Sequence, residues 1–195
     1  MRNKLILTDC DGVLLDWEWS FTKWLQKHGK VKTVNTTSYK IEEHYNITEE
    51  EMDTLVHMFH ETVYMANMAP LRDAVKYVKG LHEELGYVFH VITSAGSDPN
   101  IARLREQNLH NIFGKSVFHE ITCVDQDKSK VLSQYKDSGC LWVEDHPKNY
   151  NLGLQLGLDS RLMTQYWNTD FQISSDKRVS TWKELYKYKS EPTWM

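Results

Sequence analysis

The sequence predicts an α/β protein: a doubly wound, mainly parallel sheet of Rossmann-like type, with a small helical segment inserted after the first strand. Short apolar runs at residues 4–8, 87–92, 116–124, 140–143 and 161–164 have the length and residue types of buried strands. Over residues 70–164 these runs alternate with segments of helical period, the pattern left by right-handed crossovers between parallel strands. Residues 15–69 interrupt the alternation and carry helical patterns only.

The first strand, 4–8, runs straight into Asp9. In the interruption, Trp17, Phe21, Trp24, Leu25 and His28 share one helical face, and Met52, Leu55, Val56, Phe59 and Val63 share another. A stretch rich in Thr, Asn and Ser separates them, and Pro70 marks the return to the core. Leu71, Ala74, Val75, Val78 and Leu85 then define a helix, with further helices expected over 101–107, 128–135 and 149–156. Asp145 stands where it can cap the helix that Pro147 opens. Thr181-Trp182-Lys183-Glu184 reads as a capping box opening a last helix. The expected division is a core of 1–14 and 70–195 and a helical insertion of 15–69.

At 195 residues the chain can bury one substantial core plus a modest insertion. With 41% hydrophobic and 26% charged residues it is ordinary for a water-soluble domain, and its apolar runs fall short of a membrane span. A net charge of -4 gives no attraction to a nucleic acid polymer or an anionic membrane. The N-terminal segment has neither a long apolar stretch nor a small-residue cleavage site, so export is not expected. Cys10, Cys123 and Cys140 are odd in number and widely spaced, which favours free thiols in a reducing, cytoplasmic setting.

The chemistry concentrates at strand ends. Ligands of open α/β sheets bind beyond the carboxyl ends of the strands. Asp9 and Asp11 follow the first strand at a spacing that would direct both side chains to one crevice if the strand persisted, and Gly12 permits a sharp turn. Two carboxylates so close need a cation or a shared proton, and magnesium with phosphate oxygens is the natural solution. After the strand at 87–92 come Thr93 and Ser94, either of which can donate a hydroxyl to a phosphoryl oxygen. Lys128 and Lys130 offer a cation to neutralise developing charge, and the register of that loop leaves both open. The strand at 140–143 ends in Glu144-Asp145, a second pair of acids.

In this order, the four segments around Asp9, Thr93, Lys128 and Asp145 resemble the motifs of the haloacid-dehalogenase-like (HAD) hydrolases, over residues 4 to about 165. The resemblance implies an HAD-like core with a helical cap, and a phosphatase using an aspartyl-phosphate intermediate. Asp9 would attack phosphorus, and Asp11 would protonate the leaving group and then activate water. Magnesium would be held by Asp9, the backbone carbonyl of Asp11, and Asp145, with Glu144 as an added or water-mediated ligand. Thr93 and Lys128 would be the hydroxyl donor and the lysine.

Within that superfamily, the run from Asp9 to Glu18, Met68-Ala69-Pro70-Leu71 and Ser180-Thr181-Trp182 are similar to the 5'(3')-deoxyribonucleotidases. Residues from about 30 to 65 show no such match, and Glu144-Asp145 replaces a more usual pair of aspartates. The implied substrate is a nucleoside monophosphate. The insertion carries eight aromatics, most of them needed for its own packing, and Trp17, Trp19, Tyr39, Tyr45 and Tyr64 are the candidates to stack on a base. The competing readings are a phosphatase for a sugar phosphate or other small phosphoester, and a catalytically silent binding relative.

Overall fold

The structure is a computed structural model describing residues 4–96 and 98–191. The outermost residues of the expected core, 1–3 and 192–195, lie outside that range. Six parallel strands form one sheet in the order β3-β2-β1-β4-β5-β6. At its centre β1 (Leu5–Thr8) lies between β2 (Val88–Thr93) and β4 (Leu141–Glu144). β3 (Phe118–Cys123) forms one edge, and β5 (Asp159–Met163) and β6 (Arg178–Val179) complete the other side. The chain builds outward from β1 to β3 and then returns to β4, so the topology reverses between β1 and β4. That reversal opens a crevice at their carboxyl ends.

Alternation along the strands divides the sheet into two buried faces. Ile6, Phe89, Val91 and Val143 join the larger apolar cluster, and Leu7, Ile92 and Trp142 join the smaller. The larger face is covered by α4 (Ala74–Glu83), α5 (Pro99–Phe113) and α8 (Trp182–Ser190). The smaller is covered by α6 (Ser129–Leu132) and α7 (Pro147–Gln155).

Between β1 and α4 lie α1 (Trp17–Lys27), α2 (Ile41–Tyr45) and α3 (Glu49–His60). Asp16 caps α1 through the Trp19 amide at 3.0 Å, and Thr48 caps α3 through the Glu51 amide at 3.2 Å. Phe59 packs its ring 5.2 Å from Phe21 and 5.8 Å from Trp24, in the same apolar cluster as the sheet's larger face. The two ends of this helical segment are stitched together. The Asp16 amide donates to the Ala69 carbonyl at 2.8 Å, and the Leu71 amide to the Leu14 carbonyl at 2.8 Å.

Several local expectations are corrected. The expected strand at 116–124 starts with a 3-10 turn, Lys115–Val117, before β3. α5 extends beyond 101–107 at both ends: it starts at Pro99, where Asp98 accepts from the Asn100 and Ile101 amides, and runs on to Phe113, where Gly114 ends it. Val63 lies past the end of α3 and is 71% exposed. Glu184 does bind the Ser180 amide, but the Thr181 side chain does not cap α8. Asp73 caps it instead, accepting from the Trp182 and Lys183 amides at 3.0 and 3.1 Å. α7 is capped by His146, whose Nδ1 accepts from the Lys148 amide, so Asp145 is left for other work. Neither β6 nor α2 was apparent in the sequence pattern.

Candidate active site

The carboxyl end of β1 is held from both sides. The Asp9 amide donates to the Val143 carbonyl on β4 at 2.9 Å, and the Asp9 Oδ1 accepts from the Cys10 amide at 2.7 Å. The strand ends at Thr8, so Asp11 reaches the cavity by way of a turn and not by strand alternation. Gly12 makes the turn possible with a φ of +69°, and a Cβ built there would lie 2.2 Å from Asp145 Oδ2. A side chain there would strain the turn and push the Asp145 carboxylate aside. The Gly12 carbonyl accepts from Gln165 Nε2, and the Val13 carbonyl accepts from the Trp182 indole at 2.8 Å.

Asp9, Glu144 and Asp145 are buried, and each offers a carboxylate oxygen within 4.8 Å of the others. Lys128 Nζ lies 2.8 Å from Asp9 Oδ2 and 2.8 Å from Glu144 Oε2, and is buried, whereas Lys130 is exposed on α6. The geometry therefore brings Lys128 to Asp9. The other Glu144 oxygen accepts from the Asp145 and His146 amides at 3.1 and 3.0 Å. Glu144 is thus engaged as the lysine's partner, and Asp145 presents the carboxylate nearer Gly12. Asn168 fixes the Asp145 carbonyl at 2.7 Å.

One ammonium among three buried carboxylates leaves excess negative charge, and the titration of the group reflects it. Burial, reinforced by the charge of Glu144, pushes the Asp9 carboxyl well above its ordinary range, against the pull of Lys128. Burial and the neighbouring Glu144 and Asp9 do the same to Asp145. For Glu144 burial is outweighed by Lys128 and the amide donors, which hold it below the usual range. Burial alone would lower the Lys128 ammonium, but Asp9 and Glu144 raise it. Three hard oxygen donors with one cation short fit a divalent ion such as magnesium.

Thr93 Oγ1 is buried at the end of β2 and has no partner among the described residues, although the residue lines the cavity. Ser94 is exposed, with its hydroxyl 3.5 Å from the Gln126 carbonyl. Asp11 is gripped by Arg105, whose two terminal nitrogens donate to its two oxygens at 2.7 and 2.6 Å. Arg105 itself is fully buried.

A cavity of about 820 Å³ joins these groups to the helical insertion. Of the five candidate stacking aromatics, Trp17 and Tyr39 line it. Trp17 donates its indole N–H to His60 Nε2 at 3.2 Å, and burial lowers the His60 pKa to about 4. Tyr39 is itself 57% exposed and lines the cavity from its open side, where partial desolvation, with the charge of Asp145 behind it, raises the phenol, which keeps its proton. The other three do not line the cavity. Tyr45 is buried inside the insertion with its hydroxyl toward Thr22, Tyr64 packs near Phe59 and Lys27, and Trp19 is 53% exposed.

Sequence reasoning missed Arg105, Gln165, Asn168 and Trp167. Arg105 had a legible signal: it occupies an apolar position of α5 between Ile101 and Leu109, four residues from each. Trp167, which with Tyr166 follows β5, lines the cavity in edge contact with Tyr39, their ring centroids 6.1 Å apart.

No family model matches the chain. An uncharacterised 32.4 kDa protein of Enterobacteria phage T4 is 26% identical over 134 residues, covering 64% of this chain and 46% of that protein. The chain therefore spans about half the length of the curated relative it matches. Among solved structures, CbbY from Rhodobacter sphaeroides in complex with phosphate superposes with a TM-score of 0.60 at 14% identity, covering 94% of this chain and 96% of that one. YfnB from Bacillus subtilis, named a HAD-hydrolase and bound to magnesium, superposes with a TM-score of 0.61 at 13% identity, covering 98% and 100%. The chain has the fold of the haloacid-dehalogenase-like hydrolases.

Proposed function

We propose that this chain is a magnesium-dependent phosphomonoesterase that works through an aspartyl-phosphate on Asp9 and takes a nucleoside monophosphate as substrate. The observation that carries this reading is the buried convergence of the Asp9, Glu144 and Asp145 carboxylates, with Lys128 paired to Asp9 and Glu144. Similarity in fold to structures holding phosphate and magnesium supports it.

Asp9 attacks phosphorus and the bond to the leaving oxygen breaks, while Asp11, protonated and with one oxygen released from the Arg105 fork, gives that oxygen its proton. Asp11 then takes a proton from water as the water attacks the phosphoenzyme, releasing phosphate and restoring Asp9. Lys128 orients Asp9 and opposes the rise of its pKa, and Glu144 keeps Lys128 in place. The Thr93 hydroxyl donates to a phosphoryl oxygen. Asp9, the Asp11 carbonyl and Asp145 would hold magnesium, which supplies charge neutralisation at the phosphoryl oxygens. The residues from 15 to 69 act as a cap over the cavity, and the core comprises 1–14 and 70–195.

The base would lie against Trp17 and Tyr39. Because Trp19, Tyr45 and Tyr64 do not line the cavity, a sugar phosphate stands as the second reading. A turnover panel of aryl phosphate, ribo- and deoxyribonucleoside monophosphates and sugar phosphates, with and without chelator, separates the two. We expect chelator to abolish activity and Asp9→Asn to leave less than about one-thousandth of it. Chelator-resistant turnover would refute the assignment.

A further inference from the structure

His60 is the last residue of α3 and lines the cavity from the helical insertion. Its neighbour Phe59 is fully buried against Trp17, Phe21 and Trp24, so the turn that carries His60 is anchored in the apolar cluster. The charges of Arg105 and Asp11 both act on the imidazole. His60 therefore stands on the Asp11 side of the cavity, where the proposed mechanism puts the leaving group.

The contact with Trp17 decides which nitrogen of the ring carries the proton. An indole N–H can only donate, and it reaches His60 Nε2 at 3.2 Å, so Nε2 is the acceptor and bears no hydrogen. The neutral ring then has its proton on Nδ1. A second proton on Nε2 would set two donors face to face, and burial opposes it as well, holding the pKa at about 4. Near neutral pH the ring is uncharged, with Nε2 committed as acceptor and Nδ1 as donor. That donor has no hydrogen-bond partner among the described residues.

Resting on the phosphomonoesterase reading, we propose that His60 Nδ1–H is a specificity-determining donor: it binds an uncharged oxygen of the leaving alcohol, a sugar hydroxyl or ring oxygen, and so favours sugar-bearing phosphoesters over alkyl and aryl phosphates without such an acceptor. A fixed donor that meets a substrate lacking an acceptor loses its water and gains nothing in return. That unmade bond is the source of the discrimination. Trp17 contributes through the tautomer it imposes, apart from any stacking by its ring. A nucleoside monophosphate and a simple sugar phosphate both satisfy His60, so a base is read by other groups.

The test pairs ribose 5-phosphate with cyclopentylmethyl phosphate, which share a five-membered ring and a primary leaving oxygen but differ in the oxygens on the ring. Neither has a base, so stacking does not enter. His60→Phe should lower kcat/KM about tenfold for ribose 5-phosphate and by less than about twofold for cyclopentylmethyl phosphate. His60→Gln, whose amide offers an acceptor to Trp17 and a donor to the substrate, should recover most of the loss. Equal losses on both substrates, or no loss on ribose 5-phosphate, would overturn the proposal and leave His60 a packing residue. Nitrogen-15 shifts of the ring at neutral pH, assigned by their disappearance in His60→Gln, test the tautomer without any turnover. Nε2 should be unprotonated and Nδ1 protonated, and Trp17→Phe should abolish that preference. A proton on Nε2 in the parent protein would overturn the proposal. If the parent turns over neither phosphoester, the phosphomonoesterase reading fails and this inference with it, an outcome distinct from turnover that His60→Phe leaves unchanged.

Discussion

Replacing Arg105 by lysine keeps a positive charge beside Asp11 but exchanges a two-pronged contact for a single mobile donor. If the fork holds Asp11 in position to serve the leaving oxygen, Arg105→Lys should slow alkyl phosphates about tenfold, the scale of one lost charge-assisted hydrogen bond. An activated aryl phosphate needs less help in leaving and should be slowed much less. The comparison is made on kcat for the two substrates, with a urea titration to register any change in stability. Parallel losses on both would show that Arg105 supports only the packing around Met68, whose sulfur lies 3.9 Å from it. Asp11→Asn should give the same asymmetry more strongly.

Among the elements, α8 depends on a partner more than a hundred positions away in sequence. Asp73→Ala removes both side-chain acceptors at its first turn and should cost about 1 kcal/mol of unfolding free energy, while kcat/KM stays near that of the parent. Urea titration and a single turnover assay check it. The end of α3 carries a pH dependence. Burial holds His60 near 4 in the folded chain, against an ordinary value of about 6.5 once unfolded. The unfolded chain therefore binds this proton first as pH falls. Stability should be full above about pH 6.5 and decline toward pH 4, less steeply in His60→Gln. Equal slopes in both proteins would remove His60 as a cause. What the sequence revealed at this scale was whatever periodicity and strand ends encode: the central strands, the helical segment after β1, and the positions of Asp9, Thr93, Lys128 and Asp145. It did not reveal β6, two residues long, or the capping by Asp73 and His146, because such contacts depend on which loops meet in space. The same limit hid Gln165 and Asn168, whose work is to fix the carbonyls of Gly12 and Asp145. It also left the five aromatics of the helical insertion unresolved, since helical spacing alone did not show which rings line the cavity.

For the molecule as a whole, three buried acids sharing one lysine's charge mean that a divalent cation binding among them would stabilise the folded chain. Magnesium at a hundredfold excess over its Kd should add about 2.7 kcal/mol, which for a chain of this size raises Tm by roughly 5–10 °C. Thermal denaturation with and without the ion measures this, and Asp145→Ala should lose most of the rise. An equal rise in that variant would place the ion elsewhere. The indole of Trp182, buried and bonded to the Val13 carbonyl, bears on how the protein comes into being. One of the bonds that fixes the backbone of the loop carrying Asp9 and Asp11 comes from a residue 169 positions later. During translation that brace is missing until Trp182 has emerged. A nascent chain cut short ahead of Trp182 would carry every acid of the site and still lack that brace.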